Sequence, residues 1–212
     1  MDVLLLGASG RIGQRTAREL LDRGHAVTGV SRSGTVEGVD HPNFEAVAGD
    51  ATDADSVADL AAGRDAVVST LGPGDDESPD VLSEMIRAVI EGLREAGVDR
   101  FVWTGGAGGL YVAEGTMLIE TDAFPDDWKD LAQAAIDAYG ILEEADDLQW
   151  TYVAPAALIE PGERTGEYRT AERELVADED GESTISMEDF AIALADELES
   201  GRFVHTYVGT GY

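Results

Sequence analysis

An apolar strand that runs straight into a turn with three evenly spaced glycines leaves a chain few ways to continue, and this chain starts that way. Val3-Leu4-Leu5-Leu6 is a run of strand type, and Gly7-Ala8-Ser9-Gly10-Arg11-Ile12-Gly13 follows with a glycine at every third position. The helical pattern of Ile12, Ala17, Leu20 and Leu21 then ends at Gly24, and a second strand-like run, Ala26-Val27-Thr28-Gly29-Val30, comes next. Strand, glycine turn, helix and strand in this order open a dinucleotide-binding crossover. The three glycines are expected to act differently. Gly7 allows the sharp exit from the strand, Gly10 the close approach of backbone N–H groups to a pyrophosphate, and Gly13 tight packing of helix on sheet. Ser9, Arg11 and Ile12 complete the turn, and the phosphates are expected at the positive end of the new helix.

The same alternation continues down the chain. Ser31-Arg32-Ser33-Gly34 opens a polar loop ending at His41-Pro42, and Phe44 to Ala48 reads as the third strand. Gly49-Asp50-Ala51-Thr52-Asp53 turns into a short helix reaching Ala62. Ala66 to Leu71 is a near-continuous apolar strand of the kind covered on both faces, closed by Gly72-Pro73-Gly74. Ser78-Pro79 reads as an N-cap with proline at the first helical position, ahead of a stripe from Val81 to Leu93 that stops at Gly97. Arg100 to Thr104 is the fifth strand, followed by the loop Gly105 to Gly109; after a less regular segment to Asp127, a helix through Leu131, Ala138 and Leu142 leads to strand six, Trp150 to Ala154, stopped by Pro155.

Beyond Glu160 the pattern changes. Tyr168 to Ile185 reads as a short hairpin around Asp178-Glu179-Asp180-Gly181, Ser186-Met187-Glu188-Asp189 carries a helix start signal, and Phe203 to Val208 reads as a last strand. The whole predicts one doubly wound α/β domain over residues 1–212, strand order 3-2-1-4-5-6 with a seventh. Residues 155–212 are expected to contribute a small lobe on the substrate side.

Charge narrows the partners. The chain carries 44 acidic and 14 basic residues, net −30, and Lys129 is its only lysine. Such self-repulsion is screened at molar salt, where the Debye length is about 3 Å, so the composition fits a halophile that works in concentrated salt. The carboxylates are spread along the sequence as on a solvated surface, and a phosphate backbone would be repelled, so nucleic acid is not an expected partner. No apolar run reaches membrane-span length and no charged leader precedes the first strand, so a cytoplasmic location without membrane association is expected. The absence of cysteine removes disulfides and thiol chemistry, and three scattered histidines make no zinc site.

The Gly-x-x-Gly-x-x-Gly turn, Gly49-Asp50 after strand three, Gly105-Gly106-Ala107-Gly108 after strand five, Trp150 to Pro155, and Arg164-Thr165-Gly166 together resemble the atypical short-chain dehydrogenases. Within that superfamily the resemblance is to the NAD(P)H-binding group that includes flavin and biliverdin-IXβ reductase-like proteins and NmrA-like redox sensors. It covers nearly the whole chain and implies fold and cofactor without implying a substrate. By resemblance, Asp50 and Ala51 lie beside the adenine, Leu71 and Gly72 flank the cofactor further along, Pro155 falls near the nicotinamide, and Thr104 matches the family's active-site Ser/Thr, while the glycines from Gly105 to Gly109 imply close approach of a ligand or of the chain itself. For Thr104 the alternative is a hydroxyl satisfying local backbone, and for Asp50 a turn or N-cap residue.

At the end of strand two, NAD-preferring sites place an acidic residue on the ribose 2′-hydroxyl, whereas this chain has Ser31 and Arg32. A guanidinium there, with Arg11 within reach, favours the 2′-phosphate of NADP over NAD, the alternative being a surface arginine paired with a carboxylate. The Tyr-x-x-x-Lys pair of the best-known short-chain dehydrogenases is missing: Pro125 stands four residues before Lys129, and Tyr139 is followed at the fourth position by Glu143. Atypical reductases manage without that pair because hydride transfer to an electrophilic conjugated acceptor needs mainly positioning. The resulting expectation is an NADPH-dependent reductase of a small unsaturated, quinone- or flavin-like acceptor, monomeric or homodimeric. A non-catalytic NADP(H) sensor is the second reading and a nucleotide-sugar epimerase or dehydratase the third. Arg164 stands between an anchor for an anionic substrate and a structural ion pair.

Overall fold

The computed structural model describes residues 1–74 and 76–212. In chain order the elements are β1 (Asp2–Leu6), α1 (Arg11–Asp22), β2 (Ala26–Ser31), β3 (Phe44–Ala48), α2 (Ala54–Ala61), β4 (Ala66–Ser69), α3 (Val81–Ala96) and β5 (Arg100–Thr104). They continue with β6 (Tyr111–Ala113), β7 (Thr116–Met117), α4 (Lys129–Glu143), β8 (Gln149–Ala154), β9 (Leu158–Glu160), β10 (Arg169–Glu172), β11 (Thr184–Ser186), α5 (Met187–Ser200) and β12 (Thr206–Gly211). The large sheet has the order β10-β12-β8-β5-β4-β1-β2-β3 and is parallel except for β10, which pairs antiparallel with β12 at one edge. This is the expected doubly wound α/β sheet, with β8 as strand six and β12 as the seventh.

Parallel strands need helices on both faces to cover them, and the two cores divide accordingly. Under α2, α3 and α4 lie Leu4, Leu6, Val67, Phe101, Trp103 and Trp150; under α1 and α5 lie Val3, Leu5, Val68, Val102 and Val153. Alternate residues of one strand therefore serve opposite cores, and every residue of β4 is buried. Trp103 and Trp150 are core residues, each about 2% exposed.

Several boundaries differ from the sequence reading, among them the end of β4, which stops at Ser69 rather than Leu71. The helix expected at Ser78-Pro79 begins at Val81, because Val81 N–H donates to Ser78 O at 3.1 Å and closes a tight turn first. The expected hairpin across Tyr168 to Ile185 is not one: its turn forms, with Asp178 N–H donating to Glu182 O at 2.9 Å, but its arms part. β10 joins the main sheet and β11 pairs in parallel with β9, since each finds an open strand edge elsewhere. The last strand runs from Thr206 rather than Phe203, with His205 at φ 56° marking the corner before it. Of residues 155–212, the stretch through β11 departs from the sheet apart from β10, whereas α5 packs on α1 and β12 lies within the sheet.

Candidate functional site

β1 and β4 lie side by side, and the chain leaves β1 toward β2 on one side and β4 toward β5 on the other, which opens a crevice at their carboxyl ends. The glycine turn fills the floor of that crevice. Gly7 has φ 78°, and a Cβ there would stand 2.8 Å from Thr70 O. A Cβ on Gly13 would overlap Gly7 O and come within 2.9 Å of Ala8 Cα. Thr70 locks the turn to β4 by donating its hydroxyl to Leu6 O at 3.0 Å and to Gly7 O at 3.2 Å. Gly10 is different: its backbone is ordinary (φ −71°, ψ 166°), and an added Cβ would meet only Gly7 O, at 3.3 Å. The protein's own packing gives little reason for a glycine there.

The start of α1 is also electrostatically distinct. Its N-cap, Gly10, supplies no side-chain cap, and its first turn holds no acidic residue. α2, α3, α4 and α5 all carry carboxylates in the first turn: Asp55, Glu84, Asp130, and Glu188 with Asp189. In a chain of 44 acidic residues, the helix that begins in the glycine turn leaves its partial positive charge and unpaired N–H groups free. That is the composition of an anion site.

From this turn a cavity of about 400 Å³ runs along the strand ends. It brings together Ile12, Leu71, Gly72, Thr104, Gly105 and Pro155, six of the residues singled out from sequence. Among the described residues, none that lines it is Asp, Glu, Lys, Arg or His, although 27% of the chain is charged. A Cβ on Gly72 would meet nothing within 4 Å, so this glycine too faces open space. Thr104 lines the cavity, and among the described residues its buried hydroxyl oxygen has no hydrogen-bond partner, so it does not satisfy local backbone. Leaving such a group unpaired costs about 1–3 kcal/mol, which a polar partner brought within its reach would relieve.

The glycine loop after β5 is explained by the chain itself. The Tyr152 ring occupies the space where a Gly105 side chain would go, and Ala132 Cβ would be 2.8 Å from a Cβ on Gly108. Two phenols pin the loop: Tyr152 donates to Ala135 O at 2.9 Å and accepts from Gly106 N–H at 3.4 Å, and Tyr207 donates to Gly106 O. Burial raises the pKa of both. Tyr139, in the helix where a catalytic tyrosine would be expected, is not a cavity residue: its hydroxyl donates to Glu143 Oε1 at 2.8 Å. Burial and this bond push its pKa up to about 12, opposite to the shift a proton donor paired with lysine receives.

The far end of the crevice holds the remaining candidates. The Ser31 hydroxyl donates to Thr35 O at 2.9 Å, while its carbonyl accepts from Gly49 N–H at 3.1 Å, tying the loops after β2 and β3 together. Asp50 is a turn residue: Oδ1 accepts from the Thr52 hydroxyl at 2.7 Å and from its N–H at 2.9 Å, bonds that lower its pKa, with nearby Arg32 adding to the effect. Asp53, not Asp50, caps α2. Ala51 packs against the core. Arg32 is 75% exposed and pairs with Glu77 at 2.9 Å; Arg11 and Ser9 are exposed in the glycine turn. Arg164 lies elsewhere, forked onto buried Glu19 with both bonds at 2.9 Å, a structural ion pair between the β9–β10 connection and α1.

A family model described as NAD(P)H-binding matches residues 7–200. The chain belongs to that family. Solved structures agree with the assignment. A protein of Burkholderia pseudomallei, provisionally named an exported protein, is 45% identical with a TM-score of 0.91 over 100% of both chains. A provisionally named epimerase of Bacteroides thetaiotaomicron is 33% identical with a TM-score of 0.92, covering 100% of this chain and 96% of that one. A provisionally named NADH-flavin reductase of Streptococcus pneumoniae is 32% identical with a TM-score of 0.88, covering 100% and 99%. The turn, the cavity and the strand order are thus those of an NAD(P)H-binding Rossmann protein of the atypical short-chain type. No helix among the described residues is long and apolar enough to cross a membrane.

Sequence reasoning missed the outer wall of the cavity. Leu118, Phe124, Pro125, Trp128 and Leu131 come from the irregular segment before α4 and from its first turn, and line the cavity together with Ile159 of β9. Trp128 stays 62% exposed. The signal was present, since Phe124-Pro125 and Trp128 are apolar residues among carboxylates in a segment with no helix or strand pattern.

Proposed function

We propose that this protein is a cytoplasmic, salt-adapted NADPH-dependent reductase acting on a small unsaturated, quinone- or flavin-like acceptor. The supporting observation is a cavity with no charged group among its described lining residues, which joins a carboxylate-free helix N-terminus to Thr104, whose hydroxyl has no partner among the described residues. The residues fit a dinucleotide. The N–H groups following Gly10 receive the pyrophosphate, Arg32 with Arg11 takes the 2′-phosphate, and Ser31, Asp50 and Ala51 border the adenosine end. Leu71, Gly72, Gly105 and Pro155 flank the nicotinamide end. Bound nicotinamide dinucleotide supplies a hydride.

Thr104 then donates to, or accepts from, whichever polar atom enters the cavity and so orients it. The apolar wall of Phe124, Trp128 and Ile159 suits a planar, uncharged ring. Among the described residues no side chain of the cavity can give up a proton near neutral pH, since Tyr152 is held with a raised pKa. An acceptor whose reduced form takes its proton from solvent fits that wall; an isolated ketone does not. The test is oxidation of NADPH by quinones, flavins and simple carbonyl compounds in molar KCl. Turnover with a conjugated acceptor supports the reading, and inactivity with all of them overturns it.

A non-catalytic NADP(H) sensor is the second reading, favoured by the same lack of a proton donor. It requires a partner protein whose affinity differs between NADP+ and NADPH, and equal affinity in the two states refutes it.

A further inference from the structure

Arg32 follows β2, and Glu77 lies in the connection after β4. Because β2 and β4 are the two neighbours of β1, a bond between these residues arches over the end of β1 where the glycine turn begins. Arg32 Nη1 donates to Glu77 Oε1 at 2.9 Å, and the other carboxylate oxygen, Oε2, accepts from Gly74 N–H at 2.6 Å. The three groups are tightly placed: a Cβ on Gly74 would be 2.9 Å from Glu77 Oε2 and 3.1 Å from Arg32 Nη2. The guanidinium that the strand end offers to a 2′-phosphate is therefore already engaged by a carboxylate.

We propose that Glu77 is a specificity-determining residue for the dinucleotide, competing with a ribose 2′-phosphate for Arg32. The inference rests on the assignment of NADP(H) to this crevice and goes beyond it by setting how strongly the phosphate is preferred. Arg32 is exposed enough to change partner without repacking any core residue, with its side chain 75% accessible against 35% for Glu77. A 2′-phosphate brings more charge and three acceptor oxygens against one carboxylate oxygen, so it displaces Glu77. A ribose 2′-hydroxyl has no charge with which to compete, so NAD(H) binds with the Arg32–Glu77 pair intact. Binding of NADP(H) thus carries the cost of breaking an ion pair that NAD(H) leaves alone.

The experiment is calorimetric titration of the full chain with NADP+ and with NAD+, in 0.3 M and 2 M KCl, for the native protein and for Glu77→Gln, Asp76→Asn and Arg32→Gln. Glu77→Gln keeps an acceptor for the Gly74 N–H but removes the negative charge that faces Arg32. Exposed ion pairs of this kind set the expected scale: NADP+ binds about threefold tighter to Glu77→Gln while NAD+ is unchanged, most clearly at the lower salt. Asp76→Asn removes a charge next to Glu77 and controls for the general field. A similar gain in Asp76→Asn, or an unchanged ratio of NADP+ to NAD+ affinity in Glu77→Gln, overturns the inference while leaving dinucleotide binding standing. Binding of neither dinucleotide to the folded native protein overturns the reductase reading itself. Loss of the NADP+ preference in Arg32→Gln, together with the Glu77→Gln gain, supports the competition.

Discussion

Gly10 and Gly13 stand three residues apart in one turn, yet the structure assigns their missing side chains to different causes, and an alanine at each separates them. At Gly13 a Cβ would overlap Gly7 O and lie 2.9 Å from Ala8 Cα, both backbone atoms of the turn that carries β1 into α1. Neither can move without displacing helix or strand, so Gly13→Ala is expected to cost about 3 kcal/mol, the upper end for overpacking. For a chain of this length that lowers Tm by about 6–12 °C. At Gly10 the backbone already has φ −71°, and the one close atom, Gly7 O, is 3.3 Å away. Relief of a few tenths of an ångström there offsets the gain of about 0.4–1 kcal/mol from a stiffer unfolded chain, leaving Tm within about 2 °C of the native value. Dinucleotide binding behaves differently. A methyl on Gly10 stands where backbone N–H groups must approach the pyrophosphate, and a steric cost of about 1.4 kcal/mol weakens Kd tenfold. Differential scanning calorimetry and titration with NADPH, both in molar KCl, read the two effects. Gly10→Ala with native Tm and native Kd would refute the claim that this turn wraps a diphosphate.

Further outcomes follow from other sites. Thr104→Val removes an unpartnered buried hydroxyl, so it is expected to hold or raise stability by up to about 1 kcal/mol while lowering kcat with the best acceptor; equal kcat by steady-state assay shows that the hydroxyl orients nothing. Asp189 is fully buried and accepts from Thr165 N–H at 2.8 Å, the Thr165 hydroxyl at 2.6 Å, Gly166 N–H at 2.9 Å and the Tyr212 hydroxyl at 2.6 Å. Burial alone would raise its pKa, but those bonds outweigh it and lower the pKa from 3.8, so its contribution is present above that value and is lost as pH falls through the folded pKa. Asp189→Ala is expected to cost about 3 kcal/mol at neutral pH, and Asp189→Asn to flatten the acid limb of a Tm-against-pH curve. On the alkaline side, Tyr139 titrates at about 12 in the folded chain against 10.0 unfolded, so the unfolded state loses its proton first and stability falls between those values. Tyr139→Phe removes part of that slope, and an unchanged slope rules the group out. Net charge −30 predicts that Tm climbs between 0.2 M and 2 M KCl, and a flat profile denies salt adaptation.

Much of this site was readable in one dimension because its chemistry is carried by backbone. Gly7, Gly10 and Gly13 follow an apolar strand and open a helix, and local sterics alone give them their separate roles. The parallel strands were equally legible, since a run such as Ala66 to Ser69 is apolar on nearly every residue when helices cover both faces. The loss of the Tyr-x-x-x-Lys pair and the surplus of carboxylates needed only the residue order.

What the fold alone decided concerns residues distant in sequence. Arg32 and Glu77 meet because β1 lies between their strands, and no local pattern encodes a 45-residue separation. The arms beside Asp178-Gly181 look like a hairpin locally, but open edges at β12 and β9 bind them more favourably than they bind each other. Gly105 and Gly108 are glycines for Tyr152 and Ala132, partners brought in from β8 and α4. Turn chemistry and strand burial are short-range and so written along the chain, whereas ion-pair partners, cavity walls and edge pairing are set by which surfaces packing leaves side by side.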